Sequence, residues 1–542
     1  MLSLATCAVF STLSLAVHAA PRRMPAWARQ LTGDTSPASI PQNDGDPEGR
    51  AAGVAERRAG FGYGPSLIGE AAPFPNGALG DIRTAHDYSV WEVDRNQIDA
   101  AVAKDIEATT AAIQADLLFS MERLSQNPYP LELVKPSEPL PFEIPEDLAP
   151  QIAGVSLDEL HKSGSLFVVD HRYQTELGKT TVQPQRYGAA SSAYFYVHPE
   201  SGDFLPLAIR TNAGSDLTYS PLDDPTDWLL AKMIFNVNDF FHAQMFHLVV
   251  THDVSEAVHL AALRTLSEKH PVMIILERLM LQGYSSRVVG EELCFNPGGH
   301  WDQLFYGGYL KNDFQARGLV DENNEFKFKF FPFYQDALKI QEIYRNFFVA
   351  FVDSYYASDD DVAADSELQN WFAEAPAAKV VDFPTAPVTK EVLVDVLTHF
   401  GFIVSVVHHG LNGGDPVGSK ATLPFHRNAM YAPLPTEKGV TDLLPFLPPA
   451  EQAVHYIAFI VTFNRPFYRT SGRTLEYAFW DESLLERFNK ETRAAAADFA
   501  ARMNGLSTEF RTRDFDEKGL SLGMPFIYRT LDPGYIPYFS AV

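Results

Sequence analysis

Two long segments of the chain are apolar on nearly every side, and both carry histidines. Helical spacing of apolar residues predicts a helix over residues 227–267 and another over residues 390–411. Among the histidines that they carry are His242, His247 and His252 on the first helix and His408 and His409 on the second. A helix that is apolar all round is buried at the centre of a protein. Because ionisable side chains are costly to bury unless they are paired or metal-bound, two such groups favour a metal site over separate core histidines.

The spacing of these histidines leaves two interpretations open. His242, His247 and His252 are each five residues apart, which on an α-helix turns each about 140° away from the one before. Ligands of one metal are usually four apart, because that spacing keeps them on one face. His408 and Asn412 have this spacing and can face one point. The histidines of the first helix are therefore either unrelated, or their helix is locally unwound.

The remaining pattern predicts a mainly α fold. Alternating, β-branched and aromatic residues predict a small antiparallel sheet over 165–172, 192–198 and 204–210. Periodic apolar residues predict further helices over 91–124, 334–356, 450–462 and 482–503. We expect one large α-helical domain that spans residues 84–542 and contains the sheet.

The first 83 residues are expected to lie outside that domain. Residues 1–19, MLSLATCAVFSTLSLAVHA, form an apolar run too short to span a bilayer and end in small residues, as is typical of a secretory signal peptide. Residues 20–83 are rich in Pro, Gly and Ala and predict an extended or disordered arm. No later run looks apolar enough to be a transmembrane helix, so we expect a secreted, extracellular protein.

The charge of the chain excludes some classes of partner. The formal net charge is −26. Nucleic-acid binding depends on clustered Lys and Arg, and so does electrostatic docking on anionic membranes. We therefore expect no nucleic-acid partner and no stable membrane insertion, and we expect a monomer.

Several motifs, in this order, resemble one known family. WLLAK at residues 228–232 leads into HAQMFHLVVTH, which is followed by AALRTL and by His270-Pro271. Further along stand YYASDDDVAADSELQNW and SVVHHGLN. The combination resembles the lipoxygenases over roughly residues 87–542. The resemblance implies a single α-helical lipoxygenase catalytic domain.

The resemblance also implies how one catalytic metal ion per chain is held. The implied ligands are His242, His247, His408, Asn412 as a weaker ligand, and the C-terminal carboxylate of Val542. Lipoxygenases have a π-helical stretch, whose longer turn would bring His242 and His247 onto one side. His252 matches a family histidine that is not a ligand, and hydrogen bonding to a ligand is its expected role. His409 is expected to point away from the metal.

The choice of metal depends on the subgroup that the chain resembles. A terminal valine, a signal peptide and no room for an N-terminal β-barrel lipid-binding domain look like the secreted fungal manganese lipoxygenases. Imidazole, amide and carboxylate ligands suit either manganese or iron, so ligand chemistry alone does not choose between them. Asp415 stands where many members have a glutamine, and we place it in the hydrogen-bond network around the ligands.

For such a protein the resemblance implies oxygenation of polyunsaturated fatty acids of the linoleic and linolenic type by O₂. A metal(III)-bound hydroxide takes a hydrogen atom from the CH₂ between two cis double bonds, and no side-chain base or nucleophile is needed. Ser286 matches the family's Gly/Ala position that controls where oxygen is added, and its size favours S products. Arg427 and Arg465 are candidates for binding the fatty-acid carboxylate.

Two other functions stay open at the level of sequence. The first is a catalytically silent lipid-binding protein on the same scaffold. The second is a zinc hydrolase, although the H-E-x-x-H pattern of zinc proteases is absent from the chain. Metal analysis together with oxygen uptake separates all three.

Overall fold

The computed structural model describes residues 36–63, 116–177, 186–281, 283, 304–411, 429–449, 472–524 and 527–540. Its α-helices in chain order are α1 Pro47–Gly60, α2 Asp116–Ser125, α3 Leu148–Ala153, α4 Leu157–Lys162, α5 Gln174–Leu177, α6 Pro225–His247, α7 Val254–Leu263, α8 Pro271–Leu279, α9 Leu310–Ala316, α10 Pro332–Tyr355, α11 Asp359–Ala363, α12 Ser366–Ala377, α13 Lys390–Phe402, α14 His408–Leu411, α15 Glu482–Arg487 and α16 Lys490–Arg511. The predicted helix over 450–462 and the predicted signal peptide lie outside the described residues.

The first central helix is continuous from α6 to α7 through a π-helical segment, Leu248–Asp253. Its start is fixed by Asp224, whose carboxylate accepts a hydrogen bond from the main-chain N–H of Thr226 at 2.9 Å, and by a proline in the first turn. The predicted helix over residues 227–267 is confirmed, with its ends shifted by a few residues.

The second central helix joins α13 to α14 through another π-helical segment, Ile403–Val407. Among the described helices, Lys390–Leu411 is long and apolar enough to cross a membrane by length and composition. Inside the protein, however, 89% of its apolar window is buried. The prediction that no such run exists was wrong for this helix, because composition alone does not distinguish a central helix from a membrane span.

Helix α10 packs along both α13 and α16 and closes one side of the core. The approach to α13 is close at Gly401, where an added Cβ would lie 2.7 Å from the Tyr344 ring. The predicted helix over 482–503 is divided into α15 and α16. Asn489 causes the division, because its side chain accepts a hydrogen bond from the N–H of Thr492 at 2.8 Å and so begins a new helix.

One five-stranded antiparallel sheet lies beside the helices, with the strands in sequence order. The strands are β1 Leu131–Leu133, β2 Leu166–Asp170, β3 Ser192–Val197, β4 Phe204–Arg210 and β5 Thr218–Tyr219. The three predicted strands are confirmed as β2, β3 and β4. Strands β1 and β5 have three and two residues, too few to show an alternating pattern in the sequence.

The two faces of the sheet belong to different clusters. Phe167 and Phe195 pack into the main helical core, whereas Val168 and Tyr194 pack into a smaller cluster with Phe142. The alternation follows from the pleat, which sends successive side chains to opposite faces. The mainly α fold with a small antiparallel sheet is therefore as the sequence predicted.

The prediction of an extended or disordered arm over residues 20–83 is wrong for Pro47–Gly60, which forms helix α1. The helix begins at Asp46, whose carboxylate accepts from the N–H of Gly49 at 2.9 Å. Arg50 donates two hydrogen bonds to Glu367, at 2.6 and 2.9 Å, and both side chains are buried. The helix was missed because buried ion pairs, and not an apolar stripe, attach it to the core.

Replacing Arg50 by methionine tests this attachment. Glu367 would be left as a buried carboxylate without its cation, so we expect the free energy of unfolding to fall by about 3 kcal/mol. Thermal or denaturant unfolding measures the change. Arg345→Met is the matched control, because Arg345 and Glu391 form an exposed pair and exposed pairs contribute little. Equal unfolding midpoints for the two variants would contradict the attachment.

Candidate metal centre

The first π-helical segment brings two histidines together. His247 is the last residue of α6, and His252 lies within Leu248–Asp253. In a π-helix the turn closes between residues five apart, so a side chain five positions on returns to the same side. The ring centroids of His247 and His252 are 4.9 Å apart, with the ring planes at 89°.

Hydroxyl groups accompany both π-helical segments. The hydroxyl of Thr251 donates to the carbonyl of His247 at 2.7 Å, and that of Ser405 donates to the carbonyl of Gly401 at 2.6 Å. Each bond reaches the carbonyl four residues back, where it competes with the main-chain ladder. Such competition loosens an α-helix locally and favours the wider turn.

The second π-helical segment delivers the third histidine. His408 follows Ile403–Val407 directly, and its ring centroid lies 4.6 Å from that of His247 and 4.7 Å from that of His252. One ligand atom from each of the three rings lies within 4.8 Å of the others, and all three side chains are buried. The Nε2 atoms of His408 and His252 are 2.9 Å apart. Two nitrogen ligands about 2.1 Å from one ion and at right angles would be about 3 Å apart.

The donor atoms of this histidine group fit a metal ion. Both ring nitrogens of His247 are buried and have no hydrogen-bond partner in the described part of the chain, whereas buried polar atoms nearly always have one. His252 Nδ1 lies 3.3 Å from the carbonyl oxygen of Gly283. Because a carbonyl only accepts, this Nδ1 donates, and Nε2 keeps its lone pair on the side of His408.

Burial keeps the three imidazoles neutral. It lowers the pKa of His252 to about 4. Burial, together with the neighbouring histidines, lowers the pKa values of His247 and His408 well below the ordinary value of 6.5. A metal binds the neutral ring, so protons do not compete with it near neutral pH.

His242 does not belong to this group: the structure places His252, which the sequence assigned a supporting role, beside His247 and His408. The stretch from His242 to His247 is regular α-helix, so the two point about 140° apart, and the wide turn comes only after His247. The His242 ring stacks on Phe246 with centroids 5.5 Å apart, and it lies 5.7 Å from the His171 ring.

A buried polar network surrounds His242. Asp239 lies 3.1 Å from the Arg123 guanidinium and 3.2 Å from His171 Nε2. Burial alone would raise the pKa of the Asp239 carboxyl, but Arg123 and His171 hold that pKa well below its usual range. Arg123 belongs to α2 and Asp239 to α6, so the network fixes the rotation of the helix that carries His247.

The other predicted site residues divide into two sets. Those outside the described residues are Asn412, Asp415, Val542, Ser286, Arg427 and Arg465. His409 is described and buried, its Nδ1 donates to the carbonyl of Ser405 at 2.8 Å, and it is not part of the three-histidine group.

The chain end approaches the second π-helical segment. Ser540 is fully buried, and its hydroxyl donates to the carbonyl of Val404 at 3.2 Å. The sequence did not predict this contact, because a serine two residues before the terminus has no distinctive spacing.

Comparisons with known proteins agree with the fold. The lipoxygenase family model matches residues 143–310 and 299–453. The chain is 42% identical to the manganese lipoxygenase of Fusarium oxysporum, over 93% of this chain and 92% of that protein. It is 41% identical to the manganese lipoxygenase of Pyricularia oryzae, over 93% and 91%. A solved manganese lipoxygenase matches with a TM-score of 0.79 and 41% identity, covering 93% of this chain and 100% of that one.

A helical fold built round three buried, neutral imidazoles is that of a protein with a metal-binding centre in its core. The chain belongs to the lipoxygenase family, whose members are dioxygenases. The resemblance given by the sequence motifs is thereby confirmed.

Whether His252 or His242 binds the metal together with His247 and His408 can be tested directly. We expect His252→Gln to lower metal content strongly and to reduce oxygen uptake at least a hundredfold, as loss of a ligand does. His247→Gln and His408→Gln should behave in the same way. His242→Gln is the matched control, and it should keep its metal and most of its activity. Metal content by elemental analysis is the deciding measurement, and the reverse pattern would restore the original assignment.

Proposed function

We propose that this protein is a secreted manganese lipoxygenase that adds O₂ to polyunsaturated fatty acids of the linoleic and linolenic type to give hydroperoxides. The observation that carries the proposal is the buried group of His247, His252 and His408, whose ligand atoms lie within 4.8 Å of one another. Family membership supports the reaction class.

We assign three ligands to described residues and two to residues beyond them. His247, His252 and His408 supply neutral imidazoles. Asn412 follows the end of α14 and stands four residues after His408, a spacing that allows both side chains to face one point. The carboxylate of Val542 completes the set, and its negative charge requires a cation if it is buried.

Manganese is the metal that we assign, one ion per chain. Nitrogen and oxygen ligands of this kind suit manganese and iron alike. The choice of manganese is supported by relatives at 41–42% identity that bear the name manganese lipoxygenase. When bound, the metal supplies the one-electron chemistry that removes a hydrogen atom from the CH₂ between two cis double bonds.

The chain itself supplies position and an apolar environment. Apolar side chains of both π-helical segments are buried: Val249, Val250, Ile403, Val404, Val406 and Val407. Surroundings of this kind exclude water from the histidine group. The hydrogen bond from His252 Nδ1 to the Gly283 carbonyl orients one ligand ring, so the imidazoles do not need to reorganise when the metal binds.

Purified protein tests the function directly. We expect about one manganese per chain, and oxygen uptake with linoleate that yields a conjugated-diene hydroperoxide. Iron in place of manganese would overturn the metal assignment alone. Stoichiometric zinc without oxygen uptake would indicate a hydrolase, and fatty-acid binding without oxygen uptake would indicate a silent lipid-binding protein.

Location and assembly follow from the same proposal. We assign residues 1–19 as a signal peptide, and we propose a monomer without nucleic-acid partner or stable membrane insertion. Protein recovered from culture medium should lack these residues by mass spectrometry, and it should elute as a single chain of the corresponding mass. Retention of residues 1–19 in the secreted form would contradict the cleavage.

Ser286 is proposed to line the substrate pocket, with Arg427 or Arg465 binding the fatty-acid carboxylate. Ser286→Gly removes a hydroxymethyl group and would open space for O₂ beside the bound pentadiene. We expect the position or chirality of the hydroperoxide to change, with metal content unaffected. Chiral chromatography of the linoleate product measures this, and an unchanged product distribution would remove Ser286 from the pocket.

A further inference from the structure

The last described residues pair with another segment of the chain and are buried. The carbonyl of Ile536 accepts a hydrogen bond from the N–H of Leu475 at 2.7 Å, which pairs the tail with a neighbouring segment. Tyr538 is almost fully buried, and Phe539 and Ser540 are fully buried. The tail is therefore a packed element of the core and not a surface extension.

Ser540 provides a polar connection between this tail and the helix that carries His408. Its hydroxyl donates to the carbonyl of Val404, 3.2 Å away and 136 positions back in the sequence. Val404 stands four residues before His408, about one helical turn. Helix carbonyls point towards the C-terminal end of the helix, so this carbonyl points towards the turn of His408.

The chain beyond Ser540 is short enough for its end to stay near this contact. Two residues remain, and two residues of extended chain span about 7 Å at most. The position of Ser540 therefore limits the region that the terminal carboxylate can reach.

We propose that Ser540 is a positioning residue, which latches the tail to the second π-helical segment so that the carboxylate of Val542 is presented to the metal. The inference rests on the proposed role of Val542 as a ligand. Ser540 does not touch the metal, and its hydroxyl acts by restricting where the last two residues lie. A hydroxyl with a merely structural role would satisfy a helix carbonyl without affecting metal retention.

The first measurement is the rate at which manganese leaves the holoenzyme in the presence of a chelator. Ser540→Ala should release manganese about fivefold faster, the factor that corresponds to one hydrogen bond. Ser540→Thr keeps the hydroxyl and should restore most of the retention. Ser163→Ala is the matched control, since Ser163 also donates to a main-chain carbonyl, that of Leu160, at 3.0 Å and on the surface. Its release rate should equal that of the unaltered protein.

The second measurement reports on the tail without reference to activity. Carboxypeptidase digestion of the holoenzyme, followed by mass spectrometry, measures how often the terminus is exposed. Ser540→Ala should lose Val542 several times faster than the unaltered protein and than Ser163→Ala. Faster cleavage without faster manganese release would overturn the proposal, because the tail would then move without consequence for the metal.

Deleting Val542 distinguishes an error in the positioning role of Ser540 from an error in the ligand role of Val542. The deletion places the new terminal carboxylate about 3.5 Å short of the position proposed for the Val542 carboxylate, so manganese should be lost. If the deletion variant retains all its manganese, both the ligand role of Val542 and the positioning role of Ser540 are rejected. If the deletion variant loses manganese but Ser540→Ala changes neither the manganese release rate nor the carboxypeptidase cleavage, only the positioning role of Ser540 is rejected. If Ser540 acts through Val542, Ser540→Ala should add nothing to the deletion.

Discussion

The contact between two π-helical segments at the centre of the molecule is the constraint on which the site depends. Leu248–Asp253 and Ile403–Val407 pack against each other, and each ends beside or contains a histidine of the group. A regular α-helix would turn His252 away from His247, since their spacing is that of a wider turn. The irregularity in both helices is therefore what converts two apolar core elements into one set of converging imidazoles.

Burial contributes to this site in two ways. It removes the imidazoles from water, which lowers the pKa of His252 to about 4 and keeps the ring neutral. It also fixes the rotation of the helices, because α10 packs closely at Gly401 and the Arg123–Asp239 pair holds α6. Burying a ring nitrogen without a hydrogen-bond partner costs free energy. A bound metal ion offsets this cost, because the neutral ring nitrogen is then its ligand.

The sequence predicted the long helices and the central strands because both have a strong period. It identified the histidines as a set, but it grouped His242 with His247 and His408, whereas the structure groups His252 with them. The spacing of five is identical on both sides of His247, and nothing in that spacing says where the wide turn falls. Only the position of the π-helical segment, after His247, decides it. Helix α1 escaped prediction for a different reason, since its attachment through Arg50 and Glu367 joins residues 317 positions apart.

The parts of the site come from distant regions of the chain, and this links metal binding to folding. His252 and His408 are 156 positions apart, and Ser540 meets Val404 across 136 positions. No such arrangement exists in an unfolded chain, so the free energy of metal binding adds to the stability of the fold. The imidazoles belong to helices that pack together in the core, and Ser540 belongs to a tail that contacts the second of these helices. The histidine group is thus the part of the site that the core itself defines.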